Sequence, residues 1–301
     1  MKHNKTVYIG IPAHNEENNI GALLTSILAQ KGSNFSIEAV VVACDGCTDN
    51  TANIVRTYSQ KSPIIKVIDD GRRVGQAARL NEFYKLVNTD IFITFDADTV
   101  PGNEHTVAEI VQAFENDTVA VVGGHDKPVP QTTFIGKTLE AYQMFWREMI
   151  THIDNGNNVH HHPGCVSASR GDFLKRVSIP KGILANDHFL YFEALKQGYT
   201  FKAAKDAIVY FKVPTTMRDY FKQTTRFYDS ADNVKAYFGS WVNTHYDIPR
   251  SIKLRAYAVT FFKNPFYLTS ALVLQVLQRL FRYQFAEKNT DGIWTPVKSS
   301  K

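Results

Sequence analysis

Cysteine is scarce in these 301 residues: there are three, an odd count that leaves no complete set of bridges and fits a reduced cytoplasm. Glycine-rich phosphate loops are missing as well. Neither G-x-G-x-x-G nor G-x-x-x-x-G-K-[ST] occurs, so the dinucleotide and P-loop ways of holding phosphate have no support. No basic tract is interleaved with aromatics, and a formal net charge of +5 is too mild for nucleic acid, although it suits an anionic substrate or a membrane surface. Met1-Lys-His-Asn-Lys5 leads straight into the strand-like Val7-Tyr-Ile-Gly-Ile11, leaving no room for a secretory leader. No repeat or low-complexity segment is visible. With 44% hydrophobic and 21% charged residues, the chain is of ordinary globular composition, enough for one large domain or two small ones.

The most informative stretch is Asp90-Ile-Phe-Ile-Thr-Phe-Asp96-Ala-Asp98-Thr-Val-Pro101, an apolar run ending in two acids one residue apart. It reads as a buried parallel strand that delivers carboxylates to its end, stopped by Pro101 and Gly102. Alone, Asp-x-Asp is more often a solvated turn. Its surroundings alternate strand and helix signals: strands at 7–11, 37–43, 64–68, 91–95 and 119–122, the last closed by Gly123-Gly124. Helices are expected between them, the first capped by Asn15 and running to about Gln30. Such alternation demands a mostly parallel sheet with right-handed crossovers. Three loops then share one sheet edge, Pro12 to Glu17, Cys44 to Asp49 and Asp96 to Asp98, where a nucleotide belongs. With no phosphate loop present, a divalent cation on the hard oxygens of Asp96 and Asp98 is the expected way to neutralise a diphosphate.

Pro12-Ala-His-Asn-Glu16, Cys44-Asp45-Gly46-Cys47-Thr48-Asp49, Gly75-Gln-Ala-Ala-Arg-Leu-Asn81 and Asp96-Ala-Asp98, in that order, resemble the family 2 inverting glycosyltransferases of the GT-A fold. The likeness covers roughly the first 240 residues. It implies an α/β GT-A fold: a Rossmann-like, mostly parallel central sheet flanked by helices, with a helical C-terminal extension. It also implies that Pro12, Ala13, His14, Asn15, Glu16, Asp45 and Gly75 hold the base and ribose of a nucleotide-sugar, most often UDP-linked. Asp98 would ligate Mn2+ or Mg2+, with Asp96 on the ribose or the metal. Two departures stand out: Cys47 replaces the usual serine, and Gln76 replaces a frequent lysine. Cys44 and Cys47 spell C-x-x-C, but no second such pair follows, so a zinc or redox site is disfavoured.

Residues 132–153 carry a helical pattern with Phe134, Leu139, Tyr142, Phe145, Trp146 and Met149, read as a core-facing stripe. His160-His-His162 reads mainly as loop, because neighbouring side chains in extended chain cannot easily meet one ion; one histidine is expected to line a sugar pocket. Gly164-Cys165-Val-Ser-Ala-Ser-Arg170 resembles the strand beneath the acceptor. At Ile183-Leu-Ala-Asn186-Asp187-His-Phe-Leu190 a helix opens, and either polar residue suffices as an N-cap. By resemblance to the family's Glu-Asp motif, Asp187 is the catalytic base and Asn186 replaces the first acid. Gln223, Arg226 and Phe227 resemble the Gln-x-x-Arg-Trp motif of membrane-embedded synthases, expected to meet diphosphate and acceptor from one helix face.

Past residue 240 a helical, amphipathic extension is expected over 241–301, after a catalytic domain at 1–240 whose halves, 1–125 and 126–240, bind nucleotide and acceptor. A helix after Asn264 puts Phe266, Val273, Val276, Leu277 and Leu280 on one side and Gln275, Gln278, Arg279 and Arg282 on the other. Its apolar run is broken before the roughly 20 residues a spanning helix needs. The segment 250–285 suits a membrane interface and a protein partner about equally. The expected partners are a nucleotide-sugar donor and a glycan or lipid-linked acceptor, with no nucleic acid. The expected place is the cytoplasm, at the inner face of a membrane. Two rival readings differ in class: a nucleotidyltransferase would carry a glycine-rich or basic loop where Pro12 to Glu16 stands, and a non-catalytic sugar-nucleotide-binding subunit would tolerate loss of Asp187.

Overall fold

The computed structural model describes residues 4–281 and residue 284. The first half winds as expected: β1 (Lys5–Ala13), α1 (Ile20–Leu28), β2 (Phe35–Cys44), α2 (Thr51–Lys61), β3 (Ile65–Ile68), α3 (Gln76–Leu86) and β4 (Ile91–Phe95). Then come β5 (Thr99–Pro101), α4 (Thr106–Gln112), β6 (Val119–Pro128), α5 (Phe134–Thr151), β7 (Val166–Arg170), the one-turn α6 (Gly171–Leu174), α7 (Asn186–Lys196) and β8 (Thr200–Phe211). Three helices follow, α8 (Met217–Phe238), α9 (Arg250–Lys263) and α10 (Pro265–Phe281).

All eight strands form one sheet in the order β3-β2-β1-β4-β7-β6-β8-β5. Strands β3, β2, β1 and β4 run parallel, whereas β7 is antiparallel to both β4 and β6, and β6 and β8 are again parallel. Alternation along each strand feeds two cores. Val7, Ile9, Ile11, Ile91, Ile93 and Phe95 point to one face, covered by α1, α2 and α4. Tyr8 and Phe92 point to the other, with Phe83 of α3 and Phe189 and Phe192 of α7. Each such fully buried side chain contributes roughly 1.5–3 kcal/mol, so strands apolar on both faces fix β1 and β4 at the sheet's centre. Gly10 lets this happen: a Cβ there would stand 2.7 Å from the rings of Phe83 and Phe92.

Several expectations are corrected. Asn15 does not cap α1; it sits at φ 55° in the preceding turn, its side chain bonded to Thr48, and Asn19 takes the cap position. Gly123-Gly124 does not end β6, which runs on to Pro128. A side chain at Gly124 would come within 2.6 Å of Val166, so the glycines allow close strand approach. Of the apolar stripe on α5 only Leu139 and Met149 are buried, and Phe134 is exposed, because α9 and α10 cover just part of that helix. Neither Asn186 nor Asp187 caps α7; Ala185 holds that position, and both polar residues stand inside the first turn.

In α10, where the sequence left the orientation open, the polar side faces the protein. Its buried residues are Leu268, Ala271, Gln275 and Gln278, whereas Phe266, Val273, Val276 and Leu280 are exposed. The glutamines face inward because α8 offers them partners: Gln275 donates to the Tyr220 hydroxyl and Gln278 to Thr225 Oγ1. Among the described residues no helix is long and apolar enough to cross a membrane. Arg282 and the end of the expected helical extension, residues 285–301, lie outside the described residues.

Candidate active site

The carboxyl ends of β1, β2 and β4 bring the three expected loops together. The first two are stitched side by side. Asp45 N–H donates to the Ala13 carbonyl at 2.7 Å, and His14 Nδ1 lies 2.8 Å from the Asp45 carbonyl, which can only accept, so this nitrogen carries the proton. Asn15 Oδ1 accepts from Thr48 N–H, and Glu16 N–H donates to Thr51 Oγ1. The Glu16 carboxylate turns inward to Asn19 Nδ2 at 2.8 Å, while Pro12 and His14 keep partial exposure at the cleft wall. Cys47 donates to the Ala13 carbonyl, binding the same two loops.

Asp45, expected at the nucleotide, is held by the protein's own donors. Its carboxylate is buried and takes four protein donors: Arg73 Nη1 at 2.6 Å, Val74 N–H at 2.7 Å, Gly75 N–H at 3.0 Å and Arg79 Nε at 3.2 Å. Two oxygens offer about four lone-pair sites, so this carboxylate is consumed in fastening its loop to the Arg73–Gly75 loop. Gly75 serves there through its amide and its φ of 89°. Arg79 is the hub of the fastening. It is wholly buried, and also reaches both Asp70 oxygens, Glu82, and the carbonyls of Arg72 and Cys44. Reading by sequence passed over Arg79 as one letter of the third motif. The available signal was an arginine on a helix otherwise lined by Ala77, Ala78, Leu80 and Phe83.

Asp96 and Asp98 stand just past β4, both partly exposed, with Ala97 buried between them. Burial first, and the neighbouring Asp98 charge second, push the Asp96 carboxyl up to about 8; Arg226 and a hydrogen bond from Gln76 oppose this, and Asp187 reinforces it. Carboxylates crowded this way call for a cation, and their hard oxygens fit Mn2+ or Mg2+. Among the described residues no cluster of three acidic, histidine or cysteine ligands occurs, so a cation here would share its coordination with the substrate's phosphate oxygens or water.

Asp187 reaches the same place from the other side of the chain. Its carboxylate lies against Gly164, where an added Cβ would be 3.4 Å from Oδ2, and its charge acts on both Asp96 and His162. A relay joins the two acid sites. Gln76 Nε2 donates to Asp96 Oδ1 at 3.0 Å, and Asn186 Nδ2 donates to Gln76 Oε1 at 3.4 Å. Both residues are departures from the expected motif, and both connect the end of β4 to the first turn of α7. Asn81 anchors the approach to that turn, exchanging two 2.8 Å bonds with the backbone of Ile179. Cys165 joins through its carbonyl, which accepts from Asp96 N–H, and burial holds its thiol well above the ordinary range. On α8, Arg226 acts on Asp96 and lies over the ring of the exposed Phe227; Gln223 sits one turn earlier, partly buried.

The histidines are an inner layer beneath the cleft. His161 meets His125 at 3.3 Å, His162 Nε2 bonds Ser167 Oγ at 2.7 Å, and His160 packs edge-on between Trp146 and Tyr246. The stretch is irregular, as expected, apart from a short 3-10 turn at Val159–His161; His161 and His162 are buried, and the three rings serve three different sets of partners. Burial lowers His125 to about 3 and His160, His161 and His162 to about 4.

A family description reading "Glycosyl transferase family 2" matches residues 8–176. Over 131 residues the chain is 33% identical to the undecaprenyl-phosphate 4-deoxy-4-formamido-L-arabinose transferase of Shewanella sediminis, covering 42% of this chain and 39% of that one. It is 26% identical over 242 residues to the probable glycosyltransferase YdaM of Bacillus subtilis, covering 75% of this chain and 55% of the relative. The chain therefore spans between about two fifths and just over half the length of these relatives. Among solved structures, the mannosyltransferase PcManGT from Pyrobaculum calidifontis, in complex with GDP-Man and Mn2+, superposes with a TM-score of 0.62 at 20% identity, covering 92% of this chain and 76% of that one. That likeness is one of fold.

Proposed function

The chain belongs to glycosyl transferase family 2, and on that premise we propose that it is a glycosyltransferase that moves a single sugar from a nucleotide-sugar to an acceptor hydroxyl with inversion, Asp187 serving as general base. The observation that carries this reading is the relay from Asp96 through Gln76 to Asn186, which ties the acid pair past β4 to the turn bearing a separate carboxylate. An inverting transfer needs those two functions on opposite sides of one reacting carbon.

In this account the stitched loops at 12–16 and 44–49, braced by Asp45, form the wall for base and ribose. Asp96 and Asp98 would hold Mn2+ or Mg2+, and the bound cation would stabilise negative charge on the departing diphosphate. Arg226 and Gln223 face that diphosphate from α8, and Phe227 offers a ring to a sugar. Asp187 accepts the proton of the acceptor hydroxyl as its oxygen attacks the anomeric carbon; the bond from that carbon to the diphosphate oxygen breaks, and the nucleoside diphosphate leaves. Gly164 keeps the space beside Asp187 open for the acceptor.

A UDP-linked donor follows from the motif resemblance, and a GDP-linked one is the alternative raised by the mannosyltransferase neighbour. Of the glycan and lipid-linked acceptors, the lipid-linked one accords with the undecaprenyl-phosphate in the name of the Shewanella relative. The test is nucleotide release from a panel of UDP- and GDP-sugars, with Mn2+ and with chelator, in wild type and Asp98→Ala. Release with one donor, dependent on metal and lost in Asp98→Ala, is the expected outcome. Turnover of no donor, or full activity in Asp98→Ala, contradicts it.

A further inference from the structure

The amphipathic helix α10 is mounted inside out. Phe266, Val273 and Leu280 recur every seven residues and so line one side of a 17-residue helix, with Val276 beside them. That side faces outward, with Phe266 65% and Leu280 69% exposed, while Gln278 is 1% exposed against α8. The preceding helix adds Leu254, Tyr257 and Phe262, the last 85% exposed, and Phe134 of α5 extends the surface through ring contact with Phe266. Apolar surface on this scale marks a docking site.

Charge decides what docks. Between Asp247 and Glu287 the sequence has Arg250, Lys253, Arg255, Lys263, Arg279 and Arg282 and no acidic residue. These six charges exceed the formal net charge of the whole chain, +5. Among the described members, Arg250, Lys253, Arg255, Lys263 and Arg279 are all exposed. A second copy docking by two-fold symmetry would set this basic segment against itself. An anionic bilayer reverses the sign: phospholipid headgroups attract the basic side chains, while the acyl boundary takes the aromatic and aliphatic ones. No described helix can cross the bilayer, so the segment would lie in its plane.

We propose that the outward faces of α9 and α10 form a peripheral docking surface for an anionic phospholipid bilayer. Through Gln275 to Tyr220 and Gln278 to Thr225 the docked helix grips α8, which carries Gln223, Arg226 and Phe227. Docking so arranged presents the site beside the bilayer, where an acceptor embedded in lipid is presented. The surface itself does not depend on the sugar-transfer reading and is tested without turnover.

The full chain is sedimented with vesicles of phosphatidylcholine alone and of equal parts phosphatidylcholine and phosphatidylglycerol, in low and high salt. Co-sedimentation with the anionic vesicles, weakened by salt, is expected. Phe262→Ser with Phe266→Ser and Leu280→Ser, and separately Arg250→Gln with Lys253→Gln and Lys263→Gln, should each raise the lipid concentration for half-binding about tenfold or more, with the thermal midpoint unchanged. Phe262→Ser alone, at the most exposed position, carries the test if the triple variant does not fold. No binding to anionic vesicles overturns the proposal, as does binding indifferent to both sets of substitutions. A concentration-dependent dimer that is abolished by the serine substitutions, without vesicle binding, assigns the face to a second copy and overturns it as well.

Discussion

Replacing Arg79 by methionine should unfasten the nucleotide wall at measurable cost. Methionine keeps an apolar stem of similar reach and removes the fork. Asp45 then loses its 3.2 Å partner but keeps Arg73 and the amides of Val74 and Gly75. Asp70 and Glu82 keep Arg72, at 2.5 Å and 2.9 Å. The Arg72 carbonyl, bonded to Arg79 at 2.7 Å, loses its donor from that guanidinium. Breaking a buried pair costs roughly 3–5 kcal/mol; the surviving partners place this case at the lower end, about 3 kcal/mol. Urea unfolding should show that loss as a shifted midpoint with unchanged slope. Arg79→Lys should recover only part of it, because one ammonium cannot serve Asp45, Asp70 and Glu82 from fixed directions. Donor affinity, read by nucleotide-induced thermal stabilisation, should fall in both variants. A loss below about 1 kcal/mol, the scale of an exposed pair, with unaltered nucleotide binding would refute the assignment of Arg79 as hub.

The buried histidines make the fold acid-sensitive. Their folded-state values lie below the usual 6.5 because burial favours the neutral ring, so the unfolded chain takes up protons first; stability is untouched above about pH 6.5 and falls toward pH 4, by up to about 1.4 kcal/mol per pH unit for each ring. Urea midpoints across that window check it, and His162→Asn should flatten the slope. Gln76→Ala cuts the relay between Asp96 and Asn186 and should lower turnover about tenfold, a loss of order 1.4 kcal/mol, with little change in stability; Gln76→Glu adds a third acid beside Asp96 and should abolish turnover at low metal, with partial rescue as Mn2+ is raised. Gly164→Ala should be tolerated, its Cβ meeting Asp187 Oδ2 at 3.4 Å, whereas Gly164→Val should lower turnover with donor binding intact, as steady-state kinetics and thermal shift will separate.

What could be read from sequence was whatever announces itself locally. Apolar runs such as Ile91 to Phe95 can only be buried strands, and acids that end them must lie at the sheet's edge, so Asp96 and Asp98 were placed correctly there. The three loops followed from the same alternation, and the Asp187 helix from the polar pair that opens it and the family resemblance. Long-range pairing was not legible. Nothing near Asp45 in the chain says that its carboxylate is consumed by Arg73 and Arg79, 28 and 34 residues on. The relay through Gln76 and Asn186 spans 110 residues and looks, in sequence, like two departures from a motif. For α10 the helical pattern was right and the orientation open, because which side faces the protein depends on whether α8 presents polar partners, and Tyr220 and Thr225 do. The burial of the histidine run was hidden for a similar reason: its partners Ser167, His125 and the Tyr246 carbonyl are brought to it by the fold.

The central claim is that Asp187 takes the acceptor's proton while Asp96 and Asp98 hold the leaving group's cation. Asp187→Asn tests it most directly, since the amide keeps the shape and cannot accept that proton. Acceptor-dependent nucleotide release should fall by about a hundredfold or more, while donor-induced, metal-dependent thermal stabilisation stays at the wild-type level. Release at the wild-type rate in Asp187→Asn would contradict the account.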